Sequence, residues 1–241
     1  MKKSIFNLLI STIVITIITL SLPSNGIIAK AESLPLSDGK ALTEKMLRVV
    51  EDGEDMAEIW SSYTESEKEY VREFIRQVEP VMKKINNQDL SDSEFNKLYN
   101  TLSEDMKLAT RAFFIVDTTN IKPIKSSEGS LIQPTAEYRR TLTHPLKNVF
   151  GILLGTYYHR IVVFSDGTKI TSASRYAWGE SEHIGYHYNG TEYLEKQGGK
   201  GYNFFWSEVL GKFSAGIGGI NLPSRTVKSD FTVDYKGRYY Y

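Results

Sequence analysis

The stretch VFGILLGTYYHRIVVFSDGTKITSASRYA, residues 149–177, decides the fold. It has no helical period. β-Branched and aromatic residues dominate it, and they suit a pleated, half-buried surface. Val149 to Phe164 reads as a long or bent strand, with Gly151 and Gly155 as bend positions. Ser165-Asp166-Gly167-Thr168 reads as the hairpin turn, because Asp-Gly readily supplies positive φ values. Lys169 to Ala177 is the return strand.

The same texture continues to the C-terminus. A second hairpin is expected over Asn189-Gly190, between Ile184–Tyr188 and Thr191–Leu194. Gly198-Gly199-Lys200-Gly201 reads as a flexible loop, and Lys236-Gly237 as the turn of a last hairpin. Phe204 to Leu222 fits two readings. Its apolar residues match helical spacing, yet they serve equally as a buried strand followed by a glycine-rich loop. Short strands separated by turn signals indicate an antiparallel sandwich or barrel.

Before residue 120 the period changes to that of helices. Thr64-Glu65-Ser66-Glu67 and Ser91-Asp92-Ser93-Glu94 are capping boxes, in which hydroxyl and carboxylate satisfy each other's early amides. Tyr70, Val71, Phe74, Ile75, Val78, Met82 and Ile85 form one apolar stripe, and Phe95 to Val116 holds another. Pro80 is expected to kink or divide the first, since it lacks an amide and clashes with the preceding turn. The fold expected is therefore α+β and segregated. A signal peptide would occupy 1–31, a helical hairpin or small bundle 32–119, a linker 120–135 and an antiparallel β domain 136–241.

The signal rests on three features: basic Met1-Lys2-Lys3, the apolar run Ile5–Leu22, and small residues in Ala29-Lys30-Ala31. A retained anchor is the alternative, the run being nearly long enough to span a bilayer. Cleavage after Ala31 predicts a secreted or cell-wall-associated protein of 210 residues. The chain has no cysteine, which fits a Gram-positive exporter and removes thiolate chemistry and cysteine metal sites. The net charge of zero hides a split. Residues 32–120 carry 19 acidic and 11 basic side chains, and 121–241 carry 10 and 15. Net charges of −8 and +5 favour docking of one half on the other. They are too small to imply nucleic acid, so a cell-wall polymer or an anionic membrane surface is the expected partner.

The candidate chemistry is thin. His183 and His187 are four apart, but Ile184 stands where a helical zinc-protease motif needs glutamate. On a strand their separation is roughly 13 Å, too far for one ion. No metal and no cofactor is expected. Glu180, Glu182 and His183 are the catalytic candidates, as in a cell-wall polymer hydrolase, with Glu192 and Glu195 as another carboxylate pair and His144 or His159 as a general base. A serine triad lacks its strained-turn motif, leaving Ser172, Ser174 and Ser181 unplaced. The aromatic set Trp178, Tyr186, His187, Tyr188, Tyr202 and Trp206 suits ligand binding, by stacking on sugars. Phe213, Ile217 and Ile220 lie in a small, weakly charged stretch of membrane-active character, as in a bacteriocin-like toxin. The sequence favours a non-catalytic binder of a cell-surface or extracellular ligand, with the helical half as cap or regulator.

Overall fold

The computed structural model describes residues 36–241, except 55, 88–89, 119–120, 133–134, 218–219 and 222–224. The expected signal at 1–31 lies outside the described residues. Among the described residues six helices precede the strands: α1 (Leu36–Glu51), α2 (Met56–Ser62), α3 (Glu65–Arg76), α4 (Glu79–Asn87), α5 (Asp92–Asn100) and α6 (Glu104–Phe113). Both capping boxes form, Thr64 with Glu67 and Ser91 with Glu94. Pro80 divides the first stripe, sitting at the second position of α4 where a missing amide costs nothing. The second stripe also divides. Ser103 caps the Met106 amide and starts α6 afresh, a break that the continuous apolar spacing conceals.

Nine strands follow: β1 (Ile124–Ile132), β2 (Thr135–Lys147), β3 (Leu153–Ser165), β4 (Ile170–Ser181), β5 (Tyr186–Gly198), β6 (Phe204–Ile217), β7 (Ile220–Asn221), β8 (Arg225–Asp234) and β9 (Tyr239–Tyr240). They make two antiparallel sheets, ordered β1-β2-β3-β4 and β5-β6-β8-β9, with β7 paired to β6. Among the described residues there is no closed barrel. The chain is α+β with its helices and strands segregated.

Two expectations need correction, and one left open is decided. The segment 120–135 carries β1, paired along its length with β2. Its Ser-Ser-Glu-Gly-Ser run looks like linker chemistry, but polar residues and glycine are what an edge strand carries to discourage further pairing. Asn189-Gly190 makes no turn. The pair lies inside β5 at a register shift, with Gly190 at φ +114° absorbing the extra residue as a bulge. The true β5–β6 turn is the loop after Gly198, where Gly199 and Gly201 take positive φ. Phe204–Ile217 is a strand and not a helix.

The helices and strands share one compact unit, Pro35–Tyr241. A single apolar core joins Met46, Phe74, Ile75, Phe95 and Phe113 from the helices to Leu146, Leu154, Tyr157, Tyr186 and Phe213 from the sheets. The helices thus cover one end of the sandwich. A smaller core of Leu142, Ile161, Val163, Phe205, Phe231 and Val233 fills the other end. The sheets approach closely between them. A Cβ on Gly211 of β6 would lie 2.5 Å from the Tyr157 ring of β3, so only glycine fits there.

Candidate functional site

Strand alternation sorts every candidate side chain to the inside or the outside of the sandwich. Inside, between the two cores, runs a buried polar column. His144 Nε2 lies 2.8 Å from Ser229 Oγ, and Ser229 Oγ lies 3.2 Å from His159 Nδ1. His159 Nε2 then lies 3.1 Å from Ser207 Oγ, which receives Arg175 Nη1 at 3.4 Å. Arginine only donates. With arginine as the donor, the chain runs from Arg175 to Ser207, His159, Ser229 and His144, with both imidazoles neutral. Burial holds His144 down at about 4 and His159 down at about 3. Serine beside histidine invites comparison with a nucleophile–base pair, but among the described residues no carboxylate hydrogen-bonds either ring. His159 and Ser207 are wholly buried and Ser229 nearly so. The column is a brace between sheets.

Two inward-facing arginines close the sandwich edges. Arg175 of β4 donates to the carbonyls of Leu194, Glu195 and Glu208, satisfying the second bulge of β5, and lies over the Tyr193 ring. Arg140 of β2 donates from Nε to the Gly237 carbonyl at 2.6 Å and lies over Tyr138 and Tyr239. Each guanidinium reaches from the first sheet to backbone of the second.

On the outer face of the first sheet, Trp178 stands opposite Tyr158 in register. Their rings stack at 4.9 Å and 14°. The Arg160 guanidinium lies 5.1 Å from the Trp178 ring, and its Nε donates to Thr141 Oγ1. The Tyr158 hydroxyl donates to Glu180. The indole is therefore already packed by its own neighbours.

The outer face of the second sheet is arranged differently. Gln197, Trp206, Thr232 and Tyr240 form one cross-strand row on β5, β6, β8 and β9. Phe204 lies one step along β6 on the same face, and Tyr202 meets it edge-on at 6.3 Å. Tyr202 is 58% exposed, Tyr240 53% and Phe204 38%. Asp234 holds this corner. It accepts from the Lys236 and Arg238 amides, from Arg238 Nε and from the Tyr240 hydroxyl, leaving the Tyr240 ring open. Trp206 and Tyr240 are two strand spacings apart, about 10 Å.

The structure divides the aromatic set read from the sequence. Trp206 stands on the outer face of the second sheet and Tyr202 lies in the turn just before it, against Phe204, while Trp178 lies on the opposite outer face. Tyr186 is buried and stacks on Phe213 at 5.6 Å. Tyr188 packs on Phe213 and Tyr157, its hydroxyl sharing a hydrogen bond with Thr191. Both are core, because the helices that cover this end turn the inner face of β5 into an interior. His187 sits 3.7 Å from Asp92 at the start of α5.

The acid–base candidates are likewise spread apart. His183 follows β4 and packs edge-on to Phe113 of α6, where burial lowers its proton affinity. Glu180 is engaged by Tyr158, and Glu182 is exposed in the loop. Phe213 is wholly buried. The side chains of Ile217 and Ile220 lie outside the described residues. Among the described residues no three potential metal ligands cluster, and no helix is long and apolar enough to cross a membrane. A groove between α1 and the α5–α6 turn is lined by Lys40, Glu44, Tyr99, Asp105 and Arg111. Its charges pair off, Lys40 with Asp105 and Arg111 with Glu51.

Sequence reasoning missed Phe204 and Tyr240. For Phe204 the signal was present: Tyr202, Phe204 and Trp206 recur at period two, the spacing of one strand face. For Tyr240 it was absent, since only the pairing of β9 with β8 brings it into the row. Comparison with family models, with curated proteins and with solved structures finds no match.

Proposed function

We propose that the protein is an exported, non-catalytic binding protein that holds an extended carbohydrate polymer of a cell surface on the outer face of its second sheet. One observation carries this reading: Phe204, Trp206 and Tyr240 share that face, Tyr202 in the turn before β6 packs edge-on against Phe204, and all but Trp206 are exposed. Rings of this kind stack on the apolar faces of sugars, and Gln197 and Thr232 between them offer hydroxyl partners. The spacing of Trp206 and Tyr240 suits contact with separated rings of one polymer chain. Export rests on the signal features of residues 1–31. The helices act as a fixed cap on the far end, and of the catalytic candidates Glu180 is engaged by Tyr158 and His183 by Phe113.

Residues 32–241 are to be incubated with insoluble cell-wall polymer, and the bound fraction measured with native, Trp206→Ala and Tyr240→Ala proteins. Each truncation is expected to weaken binding about tenfold, the equivalent of about 1.4 kcal/mol. Equal retention of all three proteins would remove the reading.

A further inference from the structure

Asn189-Gly190 is the only Asn-Gly dipeptide in residues 32–241, and its place in a strand leaves it open to chemistry rather than to turning. Pairing passes from Tyr188 opposite Phe213 to Gly190 opposite Lys212, so Asn189 has no residue across the ladder. β5 is the end strand of its sheet, and Asn189 is exposed on it. Gly190 takes φ +114°. Apart from its chain neighbours, no heavy atom among the described residues lies within 4 Å of where a Cβ on Gly190 would stand. An exposed carboxamide is thus followed by a peptide nitrogen that no side chain crowds.

Other asparagines of the fold lack this combination. Asn148 is buried and engaged at both ends of its carboxamide: Nδ2 donates to the Phe113 carbonyl, and Oδ1 accepts from the Phe150 and Ile152 amides. Asn203 is exposed like Asn189, but Phe204 follows it and its side chain crowds the next peptide nitrogen. The Asn189 carboxamide has a single contact of this kind on the page, Nδ2 donating to Ser214 Oγ of β6 at 2.8 Å. That leaves its carbonyl carbon accessible and a hydroxyl beside its nitrogen.

We propose that Asn189 is a site of spontaneous deamidation through a cyclic imide. The Gly190 nitrogen loses its proton to solvent base and attacks Asn189 Cγ. The new N–Cγ bond closes the ring, the Cγ–Nδ2 bond breaks, and Nδ2 departs as ammonia with a proton from solvent. Water then opens the imide at either carbonyl, giving aspartate or isoaspartate. Water is consumed and ammonia released in equal amounts, with no oxidant or cofactor. The carboxylate formed accepts from the Ser214 hydroxyl, so the cross-strand bond is kept with its direction reversed. The isoaspartyl form lengthens the backbone by a carbon, at a point where the ladder already holds an unpaired residue. The second bulge of β5 separates this point from the Trp206 row, and the proposal is independent of that face.

The test ages folded residues 32–241, the Asn189→Gln variant and the native chain unfolded in urea side by side in mildly alkaline buffer. Peptide mass mapping follows the change from amide to acid at each asparagine, an isoaspartate-specific assay reads the product, and circular dichroism checks that the folded samples stay folded. Conversion at Asn189 of the folded protein is expected to be at least about tenfold faster than at Asn203 or Asn148, with isoaspartate accumulating. The glutamine variant should gain no acid at this position, because its longer side chain closes a ring far more slowly. Three results would overturn the proposal: Asn189 converting no faster than Asn203, conversion to aspartate alone, which would mark direct hydrolysis, or conversion confined to the unfolded chain, which would mean that the bulge withholds the nitrogen.

Discussion

The two outer faces of the sandwich carry the same kinds of residue and put them to different uses. On the first sheet Trp178 is stacked by Tyr158 and covered by Arg160, a ladder whose members satisfy one another. On the second, Trp206 stands in a row whose next members across the sheet are Gln197 and Thr232, and Tyr240 is fixed only through its hydroxyl. Aromatic content therefore does not mark a binding face. What marks it is whether the neighbouring strand supplies a partner for each ring. An occupied ring contributes to stability, and an unoccupied one is available to a ligand.

The largest expected effect breaks the comparison from inside, by attacking the column that holds the two faces together. His144 and His159 are held near 4 and 3 in the folded protein, against 6.5 in the unfolded chain. The unfolded state takes up protons first as pH falls. Stability is thus full above about pH 6.5 and declines down to about pH 3, the His144 share ending near pH 4 and the His159 share near pH 3. Each tenfold difference in proton affinity is worth about 1.4 kcal/mol, so by pH 4.5, about two pH units below the unfolded value, the pair accounts for a loss on the order of 5 kcal/mol. Urea midpoints measured from pH 7.5 to 4.5 should show this fall, and His144→Gln should flatten it. A level profile would mean the imidazoles are not buried as described.

The next effect sharpens the comparison by exchanging the two tryptophans' fates. Trp178→Ala should lower stability by about 2 kcal/mol through lost stacking and cation–π contact, with polymer binding unchanged. Trp206→Ala should leave stability within about 0.5 kcal/mol while binding weakens. Thermal melts and pull-downs on the same two variants read both quantities. If Trp178→Ala is the one that loses binding, the ladder is the ligand face and the assignment inverts.

Local signals in the sequence were legible where a residue acts on its own chain neighbours. Thr64 with Glu67, Ser91 with Glu94, Pro80 and the Asp166-Gly167 turn all do what local chemistry predicts. Asp166 goes further: its carboxylate accepts the Thr168 and Lys169 amides, which hold it down at about 2. Signals that depend on what lies across a strand were not legible. Asn189-Gly190 suits a hairpin turn and a bulge alike, and only the continued pairing of β5 with β6 selects the bulge. Tyr186 and Tyr188 look like ligand aromatics until Phe213 and the helices close over them. Arg140 and Arg175 gave no signal, since a charged residue facing inward makes sense only with a carbonyl waiting on the other sheet.

The smallest expected effect tests the ladder itself. Arg160→Met keeps much of the apolar stem over Trp178 but removes the charge above the ring and the bond to Thr141. A half-exposed cation–π contact contributes about 1 kcal/mol, so the melting temperature should fall by only a few degrees. Arg160→Lys keeps the charge and loses the planar fork that lies along the indole, so it should fall between native and methionine. Indole fluorescence separates this from generic destabilisation. A freed Trp178 becomes more accessible to quenchers before unfolding begins, whereas an indole held by Tyr158 alone keeps its native quenching. In the second case the tyrosine stack is the brace, and the guanidinium merely covers it.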